Sequence, residues 1–201
     1  QLEIQLPMLG FSQIATFPMI SPKLHQLTHG SAQPITIQNP LTPEESIMRE
    51  SILPSLLKTL QFNLNHQNNN CKFFEIAKTY QETHQIIETQ TLGLIVQGAQ
   101  LDQLLNENHK TLDQTDFYYV KGTTLSLLNQ LSDHTFEERE CHSENLHPKQ
   151  SLAFWHQDKQ IASCAILHPS LLKELGIDDQ QIGYIEINLT ALSACSTPVK
   201  S

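Results

Sequence analysis

Arginine is almost missing: the 201 residues contain two, Arg49 and Arg139. Planar, bidentate recognition of phosphate is what a guanidinium does best, so the shortage argues against phosphate chemistry on this chain. Lysine could substitute as a point charge, yet no lysine cluster occurs. Twelve Lys and Arg face twenty-one Asp and Glu, a formal net charge of −9, and nucleic-acid binding by this chain alone lacks the basic face it needs. Long hydrophobic runs are missing too, since no apolar stretch approaches the roughly 20 residues that span a bilayer. No membrane association is expected. Cys71, Cys141, Cys164 and Cys195 lie far apart with no CxxC pair, and no signal peptide precedes them. Reduced thiols in a cytoplasmic protein are expected. The first residue is Gln1 rather than Met, and residues 196–201 read as neither helix nor strand. The chain is expected to be one domain, residues 1–201, excised from a longer polypeptide.

What is present is a mixture of short helical and strand patterns. Residues 2–9 read as a helix closed by Gly10, residues 13–17 as a strand, and Ser21-Pro22 as the cap and first turn of a helix that stops at Gly30. A short strand over 35–37 leads to Asn39-Pro40. Thr42-Pro43-Glu44-Glu45 then has the capping-box arrangement, which predicts a helix whose apolar face begins at Ile47 and Met48. Pro54 is expected to kink or divide that helix before Leu56, Leu57, Leu60 and Leu64 continue it. Strands are expected over 72–80 and 92–96, a helix capped by Asp116 over 117–131, and a strand over 135–141. Residues 151–155 and 161–167 flank a hairpin turn, His168-Pro169 opens a helix ended by Gly176, and a last strand covers 182–188. The tally is α+β: an antiparallel β-sheet flanked by helices.

Catalytic and metal chemistry find little support in the side chains. Ten histidines form no HExxH and no Cys/His ligand spacing. His25 and His29, four apart on a helix, are either one ion's ligands or two solvent-facing rings, and the second reading is preferred. Cys141 and Ser143 near His142 and His147 lack any group that orients a base. His147-Pro148 and His168-Pro169 are read as turn locks in which the imidazole caps a neighbouring backbone group. Trp155, Phe117, Tyr118 and Tyr119 are read as core and interface anchors.

Taken in order, Leu9-Gly10-Phe11 with Thr16, Asn39-Pro40-Leu41, Glu45, Met48-Arg49, Ser51, Leu53-Pro54 and Leu56-Leu57 form a recognisable series. It continues through Phe74-Glu75-Ile76, Asp116-Phe117, Lys121-Gly122, Leu146-His147-Pro148, His168-Pro169 and Glu186-Ile187. This series resembles the catalytic-like region of the bacterial phenylalanyl-tRNA synthetase beta subunit over nearly the whole chain. The resemblance implies a class II aminoacyl-tRNA synthetase-like sheet that has lost its chemistry and assembles with the catalytic alpha subunit, two alpha with two beta. ATP and Mg2+ would serve that parent complex, as would tRNA contact, and no cofactor is implied for this fragment. A subunit interface is implied at Asn39, Pro40, Met48, Arg49, Ile52 and Leu53. The alternative is a free-standing synthetase-like paralogue that binds an amino acid or adenylate.

The arginine shortage tests that loss separately. Adenylation develops charge on phosphate that pre-organised cations must stabilise. A class II site would carry an arginine on a strand just before an acidic residue, and Cys71-Lys72-Phe73-Phe74-Glu75 has phenylalanines there. No late helix begins with Arg, and Arg139 within Glu137-Glu138-Arg139-Glu140 reads as a solvated rim pair. Arg49, among Ile47, Met48, Ile52 and Leu53, is expected to be partly buried, to need carboxylate or carbonyl partners, and to pair within the sheet or across the subunit contact. An exposed apolar patch is expected on the helices of residues 42–64.

Overall fold

The computed structural model describes residues 2–31, 33–98, 115–177 and 180–195. Helix α1 (Leu2–Met8) buries Leu2 and Leu6 and ends where Gly10 takes φ 83°, a left-handed turn that glycine enters without steric cost. The strand expected over 13–17 contracts to β1 (Ser12–Gln13). Thr16 gives its N–H and hydroxyl to the Glu75 carboxylate, so the chain leaves the sheet there. After β2 (Met19–Ile20), the Ser21 hydroxyl accepts from the Leu24 N–H at 3.1 Å and starts α2 (Pro22–Leu27). Residues 35–37 make only an isolated bridge, Thr36 with Ile47.

The capping-box expectation is corrected here. Thr42 forms no side-chain cap, Pro43–Glu45 is a single 3-10 turn, and β3 (Ile47–Met48) pairs antiparallel with β2. Helix α3 runs Leu53–Asn65 with Pro54 in its first turn. Pro54 therefore opens the helix instead of interrupting it. The first-turn N–H groups have no intrahelical partner, so a residue without one loses nothing there, and the Ser51 hydroxyl takes the Leu53 N–H at 3.1 Å. The capping-box motif lost to the strand pairing of Ile47 and Met48, a tertiary contact that local pattern does not encode.

Beyond α3 come β4 (Cys71–Glu82) and β5 (Ile86–Gln97), antiparallel in unbroken register from Cys71 opposite Gln97 to Glu82 opposite Ile86. Residues 99–114 and 196–201 lie outside the described residues. Asp116 caps α4 (Phe117–Leu131) by accepting from the Tyr119 N–H at 2.7 Å. Strands β6 (Glu137–Glu140), β7 (Leu146–His156) and β8 (Lys159–Leu167) follow, then α5 (Pro169–Glu174), β9 (Ile182–Asn188) and α6 (Leu189–Cys195). The expected strand over 135–141 is thus trimmed to four residues. His147 and His168 are the turn locks anticipated: each Nδ1 accepts the N–H two residues on, at 3.3 and 3.2 Å.

The seven-stranded sheet has the order β1-β4-β5-β9-β8-β7-β6, antiparallel throughout except that β1 runs parallel to β4. Alternation divides its side chains between two faces. Phe74, Leu92, Leu94, Ile185, Ile187 and Phe154 point toward α1, α4 and α6 and pack with Leu6, Val120, Leu127 and Leu192. Gly183 lets α4 approach on this side, since a Cβ there would lie 2.4 Å from Val120 Cγ2. The opposite face is covered over part of its length by α3 and α5, through Ile52, Leu56 and Leu60 against Ile95, Ala165 and Tyr184. Gly93 admits Ile52, whose Cγ2 would be 2.8 Å from an added Cβ. The uncovered remainder of that face is the floor of a cleft.

Candidate functional site

Arg49 leaves β3 pointing under α3, and it is almost wholly buried rather than partly so, with 1% of its surface exposed. Its NH1 and NH2 groups donate to the two oxygens of Glu75 at 3.2 Å each, a bidentate pair with a carboxylate that is itself 3% exposed. Nε donates to the Lys78 carbonyl at 3.1 Å, and NH1 also reaches the Thr16 and Ser55 hydroxyls at 2.8 and 3.0 Å. Thr16 closes the circuit by donating its N–H and hydroxyl to Glu75 at 3.0 and 2.8 Å. One guanidinium thus ties the N-terminal loop, α3 and β4 together.

The six residues assigned to an interface do not form one surface. Asn39 and Pro40 are exposed on the approach to β3, Met48 is half-buried, and Arg49, Ile52 and Leu53 are inside this chain's own core. The apolar surface lies beside them. Leu41 is 96% exposed, Phe17 69% and Phe62, on α3, 62%. Phe17, Met19, Ile20, Leu24 and Phe62 line a groove of about 440 Å³ with Lys58, Glu44 and Glu45 at its edge. Residues 42–64 thus do carry exposed apolar surface, as expected, through Phe62. Phe17 and Met19 were missed because β2 pairs with β3 across a long loop, a contact with no local sequence signal.

On the open sheet face, Thr79, Gln81, Thr89, Thr91, Gln160, Ser163, Glu186 and Asn188 line a polar hollow of about 230 Å³. It adjoins a second hollow of about 400 Å³ through the shared residues Glu50, Gln81, Gln160, Ser163 and Glu186. Among the described residues no lysine or arginine lines either one. Glu186 accepts from the Ser51 hydroxyl at 2.7 Å and from the Tyr184 hydroxyl. Burial raises the Glu186 carboxyl above its ordinary range, only partly offset by those two bonds and by the Arg49 charge. Tyr184 is likewise pushed well up by burial and by the neighbouring carboxylate.

The other candidate groups are engaged elsewhere. Arg139 lies on exposed β6, paired with Glu137 at 2.8 Å and stacked over Trp155 at 4.8 Å. Lys72 donates to the Tyr119 hydroxyl at 3.1 Å, whereas Tyr118 is 81% exposed. His25 is buried with Nε2 against the Ser31 carbonyl, which corrects the expectation of a solvent-facing ring, while His29 pairs with Glu144 at 2.7 Å. Among the described residues no group of three or more His, Cys, Asp or Glu could hold a metal ion. Burial raises the Cys141 thiol, the opposite of what a nucleophile needs.

The architecture matches solved structures of a class II synthetase. Pyrrolysyl-tRNA synthetase from Desulfitobacterium hafniense aligns with a TM-score of 0.70 and 17% identity over 96% of this chain and 65% of the other. Relatives by sequence are phenylalanine–tRNA ligase beta subunits. That of Pseudoalteromonas translucida is 27% identical over 94% of this chain, and that of Fusobacterium nucleatum 29% identical over 92%. The beta subunit of Buchnera aphidicola is 31% identical over 84%. The chain spans about a quarter of the length of these relatives, 24%, 23% and 21% in turn. The family model described as the phenylalanyl tRNA synthetase beta chain CLM domain matches residues 1–189. With its antiparallel sheet, its internally consumed Arg49 and that match across nearly its whole length, the chain belongs to the phenylalanyl-tRNA synthetase beta chain CLM domain family.

Proposed function

We propose that this chain is a non-catalytic assembly domain, one unit of a longer phenylalanine–tRNA ligase beta subunit, that docks onto the catalytic alpha subunit in a cytoplasmic complex of two alpha and two beta chains. The observation that carries the reading is the fate of the arginines: Arg49 is spent on Glu75 inside the fold, and Arg139 is on an outer strand. A cleft lined by Glu50 and Glu186, with no lysine or arginine among its described lining residues, repels a triphosphate and lacks the cations that stabilise adenylation. ATP, Mg2+ and the aminoacylation of tRNA therefore belong to the partner chain and the parent complex. Docking uses the groove of Phe17, Met19 and Phe62, with Leu41 and the Asn39-Pro40 approach beside it. Arg49 braces this surface through Ser55, which lines the groove and accepts from the guanidinium.

The test is co-expression with the alpha subunit followed by size-exclusion chromatography with light scattering. Phe62→Asp should abolish the complex while leaving the circular dichroism and melting temperature of the beta chain unchanged. An intact complex from that variant would refute the docking surface. The paralogue reading is separated by calorimetry with ATP and phenylalanine, where micromolar binding to the isolated chain would favour it.

A further inference from the structure

The cleft on the open sheet face is no part of the docking groove, and its chemistry points to a ligand of its own. The geometry points to a small primary amine with an apolar body and no phosphate, held with its ammonium against Glu186. This proposal is independent of the docking reading.

The floor is rigid. Four neighbouring strands, β4, β5, β9 and β8, supply Thr79, Thr91, Glu186 and Ser163 from one face of the sheet. Thr79 and Thr91 are only 5% and 2% exposed, with their hydroxyls 3.3 Å apart, so the hollow is recessed below the surface. The Glu186 carboxylate is held from one side only. Oε2 takes both the Ser51 and Tyr184 hydroxyls, and Oε1 has no partner among the described residues. Arg49 exerts some attraction on this carboxylate, but its donors are directed to Glu75, Lys78, Thr16 and Ser55. A carboxylate on the floor of a hollow, with one oxygen left without a partner among the described residues, is the complement of an ammonium ion.

The remaining groups define the class further. Glu50 is not a second ligand, because Ser31 occupies both of its oxygens through N–H and hydroxyl. A metal ion is not indicated either: His25, His29 and His142 line the adjoining hollow, yet among the described residues no group of three or more His, Cys, Asp or Glu could hold one. Leu53, Pro54 and Leu146 line the adjoining hollow with Tyr184, so an apolar body can extend from the ammonium along that wall. An adenylate is repelled by the same two carboxylates.

Three probes with one six-carbon body separate the terms: hexylamine, hexanol and hexanoate, titrated into the full chain and followed by amide chemical shifts. Hexylamine should perturb the amides of Thr91, Ser163 and Glu186, hexanol should bind at least about tenfold more weakly, and hexanoate should not bind. Glu186→Gln should erase the preference for the amine over the alcohol. Ser163→Leu, which fills the hollow and keeps the charge, should weaken both amine and alcohol. Equal binding of hexylamine to the wild type and Glu186→Gln overturns the proposal. So does a shift pattern confined to the exposed acidic strand β6, or the absence of hexylamine binding to a chain with a native spectrum.

Discussion

Removing the Arg49 guanidinium offers the sharpest quantitative check on how this fold is held together. In Arg49→Ala the Glu75 carboxylate, 3% exposed, keeps only the Thr16 N–H and hydroxyl as donors. Breaking a buried pair from one side typically costs about 3–5 kcal/mol, because the surviving charge stays desolvated. Set against a total stability of roughly 5–15 kcal/mol, that is a large fraction. For a chain of this size it corresponds to a fall in melting temperature of about 6–20 °C. Replacing both members, Arg49→Met with Glu75→Leu, should recover most of the loss, since neither charge is then stranded. Urea unfolding of Arg49→Met, Glu75→Leu and the double variant gives the coupling energy directly. A loss under about 1 kcal/mol for Arg49→Ala, or strict additivity of the two single changes, would refute the argument that this pair closes the loop, helix and strand as a unit. Failure of assembly with an alpha subunit in Arg49→Ala should track the unfolded fraction, whereas Phe62→Asp should lose assembly with the fold intact.

Two further outcomes follow from the packing and the cleft. Gly183→Ala should cost about 1–3 kcal/mol, because its Cβ would lie 2.4 Å from Val120 Cγ2, and Val120→Ala should restore part of it. In the same assay Gly122→Ala, in α4 with nothing within 4 Å of an added Cβ, should stabilise by up to about 1 kcal/mol, and a loss there would contradict the geometry. Glu186 sets a pH dependence. Its carboxyl is raised in the folded chain, so between the ordinary carboxylate range and that raised value the native state holds a proton the unfolded state has released. Stability contributed by this group is complete below the unfolded value and is lost as pH rises through the folded one. Glu186→Gln should flatten that slope in urea titrations at stepped pH, and parallel curves for the two proteins would exclude it. Tyr184, Ser51, Glu50 and Arg49 face or influence the group and are unchanged in both proteins.

Much of this fold was legible because its long elements announce themselves. Strands β4 and β5 carry β-branched and aromatic residues on either side of a polar turn, although only residues 92–96 of the twelve-residue β5 were expected as strand, and Asp116 and Ser21 cap their helices by the short-range contacts that their positions imply. What failed was the junction from Thr42 to Pro54, where the start signal was complete and the structure used it for a single 3-10 turn. Ile47 and Met48 were claimed by Met19 and Ile20, nearly thirty residues earlier, and no local rule anticipates such a pairing. The site divided in the same way. A buried guanidinium among apolar neighbours required carboxylate or carbonyl partners, and the structure supplies both in Glu75 and the Lys78 carbonyl, neither of which local sequence named. Phe17 and Met19 entered the groove, and Glu186 the cleft, only through long-range strand pairing.

Strand β9 has a consequence for how the molecule is made. It lies between β5 and β8, and it supplies Ile185 and Ile187 to one core and Ile182 and Tyr184 to the other. Without residues 182–188 the strand order divides into β1-β4-β5 and β8-β7-β6, two ribbons whose facing edges, on β5 and β8, lose their pairing. Pairings that close over so long a stretch of chain form slowly and leave such edges open to wrong partners. Nascent chains stalled ahead of residue 182 should be the species that chaperones hold, and insertion of this single strand is the step that turns two aggregation-prone ribbons into one sheet.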